Sequence, residues 1–149
     1  MWRRSRRGGL CWDGVWNRGE AGRYQVEAAI AAVHASSEVS DRAGPVRIAV
    51  LYLWLERLVP TAPVRLARVV AVARAYGAER GAALLDELGR RHRWGDDPLV
   101  RRRERVVRAH LSEMVGDTGA AEVLYREAAA LGANRVEGRY LLERADRLR

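Results

Sequence analysis

The 149-residue sequence has no Lys, no Phe, one Cys and four Pro. The single Cys11 excludes an internal disulfide and Cys2His2-type zinc spacing, and it points to an intracellular, cytoplasmic setting. Scarce Pro, set against 48% hydrophobic residues, excludes a collagen-like repeat and wholesale disorder. The longest apolar run, Ile48 to Leu55, is eight residues, where a membrane-spanning helix requires about twenty. Ser5-Arg6-Arg7 invites a twin-arginine export reading, but Asp13, Gly14, Asn17 and Arg18 break up the stretch that export would need to be apolar. A phosphate loop is excluded as well, because Gly77-Ala78-Glu79-Arg80-Gly81 lacks the Lys-Ser/Thr ending. No segment sustains the period-two alternation of a half-buried strand, so no sheet is expected.

What remains is one domain's length of Ala, Leu, Val and Arg. Composition changes near Gly22, which divides the chain into an irregular basic N-terminal segment, 1–22, and a helical domain, 23–149. Apolar spacing and breakers predict seven helices. The first, near 22–36, carries Val26, Ile30 and Val33 and breaks at Ser36, Ser37 and Asp41. The second, about 46–59, is apolar on two sides and is expected to be covered on both, in the middle of a stack. Pro60-Thr61-Ala62-Pro63 starts the third, which ends at Tyr76-Gly77. The fourth ends around Arg90 to Arg93, and Asp96-Asp97-Pro98 opens the fifth. Gly116 is its C-terminal cap, Asp117 or Thr118 begins the sixth (119–131), and the seventh follows Asn134.

A weak internal repeat favours a solenoid of antiparallel hairpins over a closed bundle: Gly81, Leu84, Leu85 and Leu88 recur in spacing as Ala121, Leu124, Tyr125 and Ala128. A small residue followed by apolar ones lets paired helices approach closely. The segment Gly116 to Ala128 resembles the second half of a tetratricopeptide repeat, with Ala121, Tyr125 and Ala128 at its small, aromatic and small positions. The ordered succession Tyr24 to Ala35, Ile48 to Tyr52, Pro63 to Ala73 and Arg139 to Leu142 is similar to the tetratricopeptide-like C-terminal extension of extracytoplasmic-function RNA polymerase sigma factors. The resemblance implies an all-α, right-handed solenoid of about seven helices and a non-enzymatic regulatory role in transcription initiation through protein contacts. Its implied partners are the sigma factor's N-terminal modules or RNA polymerase. Only some twenty residues precede the matching region, which leaves no room for polymerase- and promoter-binding modules, so promoter recognition is expected of no residue here. The run Arg101-Arg102-Arg103-Glu104-Arg105 departs from the family, which is richer there in His, Tyr and Leu.

Catalytic chemistry finds no constellation. His34, His92 and His110 fall on different predicted helices, and the His110/Glu113 pair at i, i+3 lacks the second copy that a di-iron bundle needs. Cys11 has no committed His partner. No metal ligand set, cofactor or enzymatic activity is expected. Charge is the remaining lead. The formal net charge is +8, carried by 27 Arg; residues 1–23 hold +4, residues 90–108 hold +5, and the remainder −1. Arg101, Arg105 and Arg108 lie at i, i+4 and i+7, and with Arg102 they are the candidate contacts to an anionic partner. The plain alternative is a solvated face with internal Arg–Glu pairing. Arg103 is expected on the apolar stripe of Val100, Val107, Leu111 and Met114. The competing functional reading is a stand-alone nucleic-acid-binding module that uses these Arg clusters.

Overall fold

The computed structural model describes residues 22–35, 43–132 and 134–149. The N-terminal segment 1–22, except for Gly22, and the expected break at Ser36, Ser37 and Asp41 lie outside the described residues. All regular structure among the described residues is helical: α1 (Arg23–Ala35), α2 (Ala43–Leu58), α3 (Ala62–Tyr76), α4 (Ala78–His92), a short 3-10 turn (Trp94–Asp96), α5 (Pro98–Met114), α6 (Thr118–Ala130) and α7 (Arg135–Asp146). The chain is thus all-α, with seven α-helices among the described residues.

Local chemistry sets the ends. Asp97 caps α5, its carboxylate accepting from the backbone N–H groups of Leu99 (2.9 Å) and Val100 (3.3 Å), with Pro98 at the first helical position, where no N–H is needed. Asp117 and Asn134 cap α6 and α7 in the same way. At the end of α5, Gly116 takes φ +80°. Its N–H donates to the Glu113 carbonyl and that of Asp117 to Ser112, both at 3.0 Å, the paired bonds of a Schellman motif. Pro45 sits inside the first turn of α2, so this helix starts three residues before the expected Val46. Replacing Asp97 by Ala is expected to cost about 1 kcal/mol, read as a lower urea midpoint at unchanged slope.

Each helix packs on its successor, and α3 also reaches past α4 to α5. Among the described residues no helix packs on one more than two places away. The core accordingly divides into three clusters. The first joins α1 and α2 with Ala71 of α3. The second joins α3 and α4 with Trp94 and Leu111. The third joins Ala109 of α5 to α6 and α7. Arg93, in left-handed conformation at φ 50°, turns the chain so that Trp94 enters the second cluster beside Gly89. The expectation that α2 is covered on both sides needs correction. It buries Ile48, Ala49, Leu51 and Leu55, while Val50, Trp54 and Leu58 remain 43–46% exposed, because among the described residues only α1 and α3 pack on it.

Candidate functional site

The residues of the internal repeat occupy matching positions in α4 and α6. Gly81, Leu85 and Leu88 are buried in α4, as are Ala121, Tyr125 and Ala128 in α6, and Leu84 and Leu124 are both half-buried. Gly81 lies against α3: a Cβ there would stand 2.6 Å from the Ala73 Cβ and 3.2 Å from Leu111 Cδ2. Only a residue without a side chain permits that approach.

The four candidate arginines of α5 separate into different roles. Arg101 is exposed and has no carboxylate within 4 Å among the described residues. It borders a shallow groove of about 320 Å3 between α4 and α5, together with Arg90, Asp86 and Glu104. Arg105 faces Glu127 at 3.4 Å. Arg108 is held by Asp86 (2.7 Å) and Glu104 (2.8 Å). Arg102 is not a partner contact: it is only 5% exposed, donating through Nη1 to Glu137 (2.8 Å) and through Nε to the Ala128 carbonyl (3.2 Å). Its Nη2 is buried with no hydrogen-bond partner. The expected position of Arg103 is corrected as well, since Arg103 is exposed. The cause is that α5 is wedged between two helix pairs. Val100, Val107 and Leu111 face α3 and α4, whereas Val106 and Ala109 face α6 and α7. Arg102, at i−4 and i−7 from these last two, falls on the second inward face.

A second basic set escaped sequence reading. In the C-terminal halves of the odd-numbered helices stand His34, Arg74, His110 and Arg144; His34, Arg74 and Arg144 lie in the last turn, where the helix dipole favours a cation. These side chains neighbour one another in order. His34 and Arg74 line one cavity, and Arg74 and Arg144 both act electrostatically on His110. Arg144 grips Glu113 with two bonds, Nε to Oε1 at 2.9 Å and Nη2 to Oε2 at 2.6 Å. Its Nε also donates to the Tyr125 hydroxyl at 3.1 Å, so one guanidinium ties α5, α6 and α7. That contact holds the Glu113 carboxyl below its ordinary range, with the Tyr125 hydrogen bond assisting. Burial pushes the Tyr125 hydroxyl up. The signal available in the sequence was positional, a basic residue in the C-terminal half of each of these four helices, but nothing in the sequence says which helices lie side by side.

His110 sits below its ordinary value of 6.5, first because it is partly buried, then because of Arg74 and, more weakly, Arg144, against the opposing pull of Glu113. The unfolded chain therefore binds this proton more tightly than the folded one. Stability is full above about pH 6.5 and declines as pH falls through the window between that value and the lower folded one. Urea midpoints measured from pH 7.5 to 5 should fall in the native chain. They should fall less in His110→Gln, with His92, which is shifted in the same direction, accounting for a residual slope.

Among the described residues no group of three or more His, Cys, Asp or Glu is placed to hold a metal ion, and no helix is long and apolar enough to cross a membrane. No protein-family profile matches the chain, and no solved structure matches it. The chain is similar to an uncharacterized protein of Rhizobium meliloti (strain 1021), at 33% identity over 132 residues, which covers 85% of this chain and 29% of that protein. This chain therefore spans less than a third of the length of the curated relative it matches.

Proposed function

We propose that this chain is a non-enzymatic, cytoplasmic protein-interaction segment, built of tetratricopeptide-like helical hairpins stacked as a right-handed solenoid. It would act in transcription initiation in the manner of the sigma-factor extension it resembles. The observation that carries this reading is the order of packing: each helix rests on its successor, α3 reaches α5, and α4 and α6 bury the same register of residues around Gly81 and Ala121. A stack of this kind leaves long helix faces open to a partner protein. The match to part of a much longer relative fits a segment that works beside other modules. The test is a pull-down with core RNA polymerase and with the polymerase- and promoter-binding modules of a sigma factor. Retention of either supports the reading, and retention of neither overturns it.

One observation favours the nucleic-acid reading. Arg90, Arg101 and Arg103 are exposed with no carboxylate within 4 Å among the described residues. Binding of this kind weakens steeply with salt, and Arg101→Ala is expected to lower the salt slope by about one. Arg105 and Arg108, each held by carboxylates of the same chain, are expected to contribute less.

A further inference from the structure

The packing order that brings α3 onto α5 is missing one step earlier. Among the described residues α1 does not pack on α3, and a cavity of about 270 Å3 lies among α1, α2 and α3. Its walls are apolar: Ile48 and Tyr52 of α2 face Ala67, Val70 and Ala71 of α3. The small side chains Ala67 and Ala71 leave the space that larger ones would fill. Among the described residues, the charged or titratable groups on the lining, apart from the Tyr52 phenol, are His34 of α1 and Arg74 of α3, and no described Asp or Glu borders the cavity.

Arg74 differs from the other arginines of its helix. Arg65 and Arg68 both hold Glu56, at 3.2 and 2.6 Å, whereas Arg74 is exposed and has no carboxylate within 4 Å among the described residues. A guanidinium fork beside an apolar hollow matches a molecule with a carboxylate at one end and hydrocarbon at the other. A cavity of about 150 Å3 accepts benzene, so one of this size has room for a chain of about eight to ten carbons.

We propose that this cavity binds a small apolar monocarboxylate, with the hydrocarbon between Ile48, Tyr52 and Val70 and the carboxylate on Arg74, flanked by His34. The inference does not depend on the role in transcription. Titration calorimetry on the full chain, with octanoate as the probe and octanol and octylammonium as matched neutral and cationic controls, tests it. Saturable octanoate binding is expected, at least about tenfold tighter than either control, since a charge-assisted hydrogen bond is lost in both. From butyrate to octanoate the affinity should rise about two- to fourfold per methylene. Arg74→Gln, a surface change, should weaken octanoate at least about tenfold, and Ala67→Phe, which fills the hollow, should abolish binding. The proposal is overturned if no saturable binding occurs up to about 10 mM, if octanol binds as well as octanoate, or if Arg74→Gln leaves the affinity unchanged. Should Ala67→Phe fail to fold, the Arg74→Gln result decides.

Discussion

Gly81→Leu is expected to destabilise the fold by about 3 kcal/mol or more, at the upper end of overpacking penalties. The atom that any side chain would add at this position stands 2.6 Å from the Ala73 Cβ and 3.2 Å from its Cα, and neither is the movable end of a flexible chain. α4 would have to retreat from α3 along the second core cluster, loosening Leu85 and Leu88, which are 0% and 2% exposed. Gly81→Ala sets two effects against each other. It gains about 1 kcal/mol of helix propensity and loses about 1–3 kcal/mol to overpacking, so a smaller net loss is expected. Adding Ala73→Gly to Gly81→Ala should recover part of that loss, giving a favourable coupling of about 1 kcal/mol in a double-mutant cycle of urea midpoints. Additive behaviour would mean that the two helices do not meet at this pair.

Arg102 and Glu137 predict effects of different size from the two ends of one ion pair. Glu137→Ala leaves a buried guanidinium with one remaining acceptor, the Ala128 carbonyl. The expected cost is about 2–3 kcal/mol, somewhat below that of breaking a fully buried pair, because the Glu137 side chain is 48% exposed. Arg102→Met removes the buried charge and its orphaned Nη2 together and returns Glu137 to water, so it should be close to neutral or stabilising. Thermal and urea unfolding of the two variants distinguish the cases. If Arg102→Met costs as much as Glu137→Ala, the guanidinium is a net stabilising element of the α5–α7 contact. Gly132 supports the same geometry, since a Cβ there would lie 2.8 to 3.0 Å from the Arg102 guanidinium atoms.

Features set by short-range chemistry were legible in the sequence. The caps at Asp97, Asp117 and Asn134, the left-handed Gly116 and the spacing of small and apolar residues in α4 and α6 all stand where the residue types placed them. The phase of α5 was not legible, because the stripe of Val100, Val107 and Leu111 describes a helix with one buried side. α5 has two, and the second claims Arg102 in place of Arg103. Nor could the sequence show that Arg108 is held by Asp86, 22 positions away, or that Arg144 reaches Glu113, 31 positions away. Charge summed along a sequence window therefore overstated the cation available to a partner on α5. It also gave no sign of Arg74, which becomes distinctive only because Glu56 is already shared by Arg65 and Arg68.

Protein contact through the open faces of this helical stack is the proposed role. It is tested most directly by titrating the labelled full chain, at one fixed salt concentration, with core RNA polymerase, with the N-terminal modules of a sigma factor and with duplex DNA. The expected result is saturable binding to at least one of the two proteins, retained when Arg101 is replaced by Ala, with no comparable binding to DNA. Binding to DNA alone, lost on raising salt and weakened by Arg101→Ala, would contradict it.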